Sequence, residues 1–157
     1  MLDTARITAI TLDLDDTLWP VMPTLVRAEA ALGDWLATRA PRTGALFADT
    51  PRRLALRQEV LAQHPEYLHD LSFQRLRALA LGLERHGEDT ALAEPAFEVF
   101  FAARQQVDLY PQAAEVLQRL SGRYPLLAVS NGNADVVRVG LGAYFSGSVS
   151  ARDAGVA

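Results

Sequence analysis

Three aspartates fall within four positions, in the run Asp13-Leu14-Asp15-Asp16-Thr17. They follow residues 7–12, a β-branched and apolar stretch of a length that suits a buried strand. On an extended backbone, side chains two apart share a face. Asp13 and Asp15 are therefore expected to point the same way, with Cα atoms roughly 6–7 Å apart. Unpaired carboxylates that close repel by about 4 kcal/mol at 4 Å and an effective dielectric of 20. The strand end thus calls for a cation, shared protons or water. Magnesium, a hard cation held by carboxylates and substrate phosphate, suits it. Ser130 is the second candidate. It closes the apolar run 126–129 and is followed by Asn131-Gly132-Asn133. A hydroxyl and free backbone N–H groups at such a turn can hold an anion; an ordinary turn with Asn133 as a helix N-cap uses the same residues differently. Ligands of parallel sheets gather at the carboxyl ends of strands. Adjacent parallel strands would then bring Asp13, Asp15 and Ser130 to one pocket.

Other residues are weighed against plainer roles. His64 and His69-Asp70 flank Pro65 and Tyr67 and read as surface residues near helix ends rather than metal ligands. His86, next to Gly87, reads as a helix C-terminal residue, where positive character is favourable. Phe97, Phe100 and Phe101 read as apolar core. Trp19 directly follows the acidic run and either faces a substrate or packs a hinge. All 15 basic side chains are arginine and none is lysine, so chemistry that needs an ammonium group has no residue here to do it.

The elements that must position these residues follow from periodicity. After the first strand, Pro20 and Pro23 punctuate the chain. Residues 24–39 carry Leu25, Ala28, Leu32, Trp35 and Leu36 on one helical stripe, with Thr24 as N-cap and Pro41 beyond the end. Further helices are predicted over 50–64, 72–86 and 89–106, with Pro95 in the first turns of the last or splitting it. No strand signal lies between Pro20 and Val107. Then come a helix over 112–120, a strand over 126–129 running into Ser130, a short helix over 134–139 and a third strand over 147–150. Strands and helices in alternation point to an α/β fold with a Rossmann-like parallel sheet, interrupted after its first strand by an all-helical insert. Residues 1–19 with 107–157 make the expected core, and 20–106 the insert.

Composition sets the boundaries. With 157 residues, half of them hydrophobic and 22% charged, the chain can bury a core of its own. There is no cysteine, which removes disulfides, thiolate metal sites and a cysteine nucleophile. A net charge of −4 gives no footprint for nucleic acid. No apolar run approaches the ~20 residues of a membrane helix, and the first residues carry no signal-peptide pattern. The expectation is a cytoplasmic protein with neither nucleic acid nor membrane as partner.

Asp13-Leu14-Asp15-Asp16-Thr17 resembles the first motif, DxDxT, of the haloacid dehalogenase-like hydrolases. Residues 126–131 resemble their second motif, a strand ending in Ser or Thr, and the helical insert between the two resembles their cap domain. The stretch Ser130-Asn131-Gly132-Asn133-Ala134, with Leu141-Gly142-Ala143-Tyr144-Phe145, is similar to the branch containing flavin mononucleotide and ribitylaminouracil-phosphate phosphatases. The resemblance implies a magnesium-dependent phosphatase acting on a small phosphorylated metabolite. In it Asp13 is the nucleophile that forms an aspartyl-phosphate, and Asp15 is the acid and then the base. Ser130, Asn131 and Thr17 hold the phosphate, and magnesium sits on Asp13 and the backbone carbonyl of Asp15. The family's third motif is a lysine and its fourth an acidic pair after a further strand; residues 150–156 look like the approach to that lysine, and neither motif is in this sequence. Taken alone, the chain is therefore expected to be inactive or weak, with an open edge on its first strand suited to pairing with another chain. Two other functions fit part of the pattern. One is a haloacid dehalogenase using Asp13 only, against which Asp15 argues. The other is a non-catalytic phospho-aspartate switch or interaction module, against which the long insert argues.

Overall fold

The computed structural model describes residues 6–155. Its sheet has three parallel strands, β1 (Ile10–Leu12), β2 (Leu126–Ser130) and β3 (Gly147–Ser150), in the order β1-β2-β3. Ile10 pairs with Leu126, Leu12 with Ala128, and Ser130 with Ser150. The fold is α/β, as expected. β1 is shorter than the predicted 7–12. Its Ile10 N–H donates to the carbonyl of Pro125 at 3.0 Å. Pro125 immediately precedes β2, so residues before Ile10 have no ladder partner. Along β2 the side chains alternate: Leu126, Ala128 and Ser130 are buried, while Val129 is 47% exposed.

The insert after β1 carries five helices, α1 (Val21–Arg39), α2 (Pro41–Ala48), α3 (Thr50–Gln63), α4 (Leu71–Arg85) and α5 (Ala93–Arg104), and a sixth precedes β2. Their apolar stripes meet in one cluster: Ala28, Leu32 and Leu36 of α1, Ala78, Leu79 and Leu83 of α4, Ala96 and Phe100 of α5. Each such leucine contributes about 1.5–3 kcal/mol by leaving water. A second cluster lies beside the sheet, where Leu14, Leu18 and Trp19 pack with Leu126, Ala128, Val136, Leu141 and Leu117 of α6 (Ala113–Ser121). The four-residue α7 (Ala151–Ala154) follows β3 under a reciprocal cap between Ser150 and Asp153. Among the described residues, no helix is long and apolar enough to cross a membrane.

Three local expectations are corrected. α1 starts at Val21, and Thr24 is a buried residue inside it whose hydroxyl donates back to the Pro20 carbonyl at 3.4 Å. α2 has no counterpart in the predicted elements. Pro41 and Gly44 look like breakers, but proline suits a first helical turn, and Gly44 permits close packing on α1. A Cβ on Gly44 would stand 3.2 Å from the Ala37 nitrogen. Residues 134–139 form turns rather than a helix. There the Asp135 carboxylate takes the N–H groups of Val137 and Arg138, and Gly140 adopts a left-handed φ of 84°.

Candidate active site

The acidic run leaves β1 at its carboxyl end. Pairing stops at Leu12, so Asp13 and Leu14 lie beyond the ladder, and Asp15 makes an isolated bridge to Trp19. Asp16 takes a left-handed φ of 56°, which an aspartate tolerates better than most residues, and its carboxylate accepts the Val21 N–H at 2.9 Å. Asp16 thus serves the turn that launches α1. Leu14 is buried and anchors the run between Asp13 and Asp15.

The two leading acids differ in surroundings. Asp13 is exposed, and its Oδ1 accepts the Leu14 N–H at 2.8 Å. Asp15 is partly buried and surrounded by donors. Its Oδ1 accepts from Trp19 Nε1 at 2.8 Å and Arg104 Nη2 at 2.7 Å, and its Oδ2 from the same Arg104 nitrogen at 2.5 Å. Trp19, fully buried, therefore neither faces a substrate nor simply fills a hinge: it packs in the core and steadies Asp15.

Ser130 and Asp15 come together around Gly132. The Gly132 N–H donates to Ser130 Oγ at 3.0 Å. A Cβ built on Gly132 would lie 2.6 Å from Asp15 Oδ2 and 3.3 Å from Ser130 Oγ, so only glycine fits there. Beside this corner lies a cleft of about 300 Å³ under the insert. Its walls include Leu14, Ser130, Gly132 and Asn133 on the sheet side and His69, Asp70 and Ser72 at the start of α4. Of the three residues expected in one pocket, Ser130 lines the cleft, Asp15 stands beside it across Gly132, and Asp13 is not among its lining residues. Asn131 and Thr17 are exposed on the two loops. Asn133 does not cap a helix; its Nδ2 reaches across to Ser72 Oγ at 3.3 Å. Asp70 caps α4 through the Phe73 N–H and pairs with Arg152 at 3.2 Å.

For a metal, the relevant donors are hard oxygens at the end of β1. Among the described residues no group of three histidine or acidic side chains is gathered for one. Magnesium commonly keeps several waters and uses one or two carboxylates with substrate phosphate. The exposed Asp13 carboxylate would suit such an ion; the Asp15 side chain is engaged with Arg104 and Trp19, so only its backbone carbonyl would be open to one.

Arg104 and Gln105 are absent from the predicted site. Both are buried where α5 ends. Gln105 Nε2 donates to the Asn133 carbonyl at 3.3 Å, and its Oε1 accepts the Asp135 N–H at 2.8 Å. A signal for Arg104 exists in the sequence: it extends the buried stripe Ala93, Ala96 and Phe100, and a charge on an apolar stripe needs a partner of opposite sign.

A family model described as haloacid dehalogenase-like hydrolase matches residues 7–157. The chain is 33% identical over 144 residues to 5-amino-6-(5-phospho-D-ribitylamino)uracil phosphatase YigB of Escherichia coli (strain K12), covering 89% of this chain and 60% of that protein. It is 40% identical, with a TM-score of 0.89, to a crystal structure of 2-haloacid dehalogenase from Pseudomonas syringae pv. tomato DC3000, over 96% of this chain and 66% of that one. L-2-haloacid dehalogenase from Xanthobacter autotrophicus, 22% identical over 96% of this chain and 59% of that one, shares the fold with a TM-score of 0.52. The chain thus spans about three-fifths to two-thirds of the length of these relatives.

Proposed function

The chain belongs to the haloacid dehalogenase-like hydrolase family, and from that premise we propose that it hydrolyses the phosphate monoester of a small metabolite through an aspartyl-phosphate on Asp13. The observation that carries this reading is Asp15, an acid two residues beyond the nucleophile, held by three N–H contacts next to Ser130. Residues 20–106 act as the cap over a core formed by 1–19 and 107–157.

In the first step an Asp13 carboxylate oxygen attacks phosphorus, the bond from phosphorus to the ester oxygen breaks, and Asp15 gives that oxygen a proton. In the second, Asp15 takes a proton from water, whose oxygen attacks phosphorus and frees Asp13. Ser130 Oγ accepts the Gly132 N–H, so its own hydroxyl proton remains to donate to a phosphoryl oxygen. The exposed Asn131 N–H and Thr17 hydroxyl are the other donors assigned to the phosphoryl group. The Asp13 carboxylate and the Asp15 carbonyl would hold magnesium, which when bound would supply charge neutralisation at the phosphoryl oxygens. The similarity to a phosphatase supports the substrate class.

A second reading has its own support: the more similar solved structure bears the name of a 2-haloacid dehalogenase. There Asp13 alone would displace halide from carbon, and Asp15 would have no proton to deliver. One assay separates the two. The protein carrying this chain is offered a panel of phosphorylated metabolites and a 2-haloacid, each with and without magnesium. Magnesium-dependent phosphate release that falls on Asp15→Asn supports the phosphatase. Halide release indifferent to both magnesium and Asp15→Asn establishes the dehalogenase instead.

A further inference from the structure

We propose that Arg104 is a positioning residue for Asp15, linking the acid/base carboxylate to the hinge where the insert rejoins the sheet. The proposal rests on the phosphatase reading above. Arg104 is the last residue of α5 and its side chain is 2% exposed. Its Nη2 meets both oxygens of Asp15. Its Nη1 is buried and has no hydrogen-bond partner. Of the two terminal nitrogens, only the one on Asp15 is therefore satisfied, and the guanidinium is directed at that carboxylate rather than shared with a wider network.

The placement ties chemistry to the hinge. Arg104 holds the loop after β1, while the adjacent Gln105 holds the loop after β2 through Asn133 and Asp135. Arg27 of α1 extends the same seam, with Nη2 on the Gln106 carbonyl at 2.6 Å and Nη1 on Asp108 at 2.8 Å. A shift of the last turn of α5 against the sheet would thus move the Asp15 carboxylate relative to Ser130. A displacement of the order of 1 Å in a reacting group can cost about 100-fold in rate. Gly132, with no side chain, leaves room at this corner, where a Cβ would stand 2.6 Å from Asp15 Oδ2 and 3.7 Å from Arg104 Nη2.

A positioning role through Asp15 differs from a purely structural ion pair in one respect. Asp15 matters most when the departing oxygen needs a proton. An alkyl phosphate has such a leaving group, whereas p-nitrophenolate departs readily without one. The test is therefore kcat/KM for an alkyl phosphate and for p-nitrophenyl phosphate, measured on the protein carrying this chain. The variants are Asp15→Asn, Arg104→Met and the double substitution. Arg104→Met is expected to lower kcat/KM for the alkyl ester about 100-fold, within the span of general acid catalysis, and for the nitrophenyl ester at least tenfold less. The double variant should be no slower than Asp15→Asn alone, since the two residues act as one unit. Equal losses on both esters, or additive losses in the double variant, overturn the proposal. Should Arg104→Met fail to fold, Arg104→Lys keeps the charge and one donor, and the same leaving-group ratio decides: a larger loss on the alkyl ester supports the proposal, an equal loss overturns it. If the unsubstituted protein hydrolyses neither ester, the phosphatase reading itself fails and the proposal falls with it. If Asp15→Asn shows the leaving-group split and the Arg104 variants do not, the Arg104 proposal alone is wrong.

Discussion

In the insert, Leu32 and Leu36, Leu79 and Leu83, and Phe100 are buried against one another across three helices. Around the sheet the picture is different. A second apolar cluster, with Leu14, Trp19, Leu117 and Leu126, packs there, but Val129, Val137 and Val149 are substantially exposed, and the strand ends bury Ser130 together with Arg104 and Gln105 from the end of the insert. The insert is held by apolar area, which is non-directional and tolerant of small movements. The strand ends add to apolar anchors such as Leu14 and Trp19 a few polar contacts with directional geometry, such as the Arg104–Asp15 pair and the Gly132 approach. Substitutions in the first region should therefore cost stability, and those in the second should cost rate.

The contrast is sharpest at Asp13. Asp13→Asn should reduce turnover by at least about 10⁴-fold with little change in Tm, because Asp13 is exposed and bonds only the adjacent N–H. Steady-state kinetics beside a thermal melt checks both halves; a large fall in Tm would break the comparison. Leu79→Ala should do the reverse. This fully buried residue should cost about 2–5 kcal/mol on truncation, read from urea unfolding, while kcat per folded molecule holds. Next in size is Gly132→Ala. The added methyl meets Asp15 Oδ2 at 2.6 Å and should slow turnover by about 10–100-fold, without the loss of stability seen at Leu79.

Glu88 supplies the smallest effect. α2 has no side-chain cap of its own at Ala40. Glu88 does that work from a distant turn, its two oxygens accepting the Arg42 and Thr43 N–H groups at 3.0 and 2.9 Å. Desolvation acts to raise the Glu88 pKa, but the Thr43 and Arg42 donors and the Arg42 charge outweigh it, and the carboxyl is held below its ordinary value. A lowered folded pKa means stability that is present above the unfolded glutamate value and is lost as pH falls through the folded one. Glu88→Gln should cost up to about 1 kcal/mol at neutral pH, as a lost cap does. The gap between wild type and variant should close in acid, which unfolding curves across the pH range will check.

The same division explains what can be read from residue order. α1, α4 and α5 are legible because Ala28, Leu32 and Leu36, or Ala78, Leu79 and Leu83, recur at helical spacing, and area alone fixes which face turns in. The acid run is legible because Asp13, Asp15 and Ser130 stand at ends of short apolar runs, where parallel strands expose them. What escapes depends on contacts distant in sequence. α2 hides behind Pro41 and Gly44 because its N-terminus is capped from residue 88 and its glycine packs on α1. Arg104 escapes because its partner lies 89 positions away. The predicted helix at 134–139 fails because Asp135 turns its carboxylate onto the next N–H groups and Gln105 takes its own.

The central claim is that Asp13 carries the phosphoryl group between substrate and water. The direct measurement is peptide mass spectrometry on protein quenched in acid during turnover of a phosphate ester with magnesium, using Asp15→Asn to slow release of the intermediate. A phosphorylated Asp13 that forms and decays at the rate of turnover is the predicted result. Steady phosphate release while Asp13 stays unmodified throughout would contradict it.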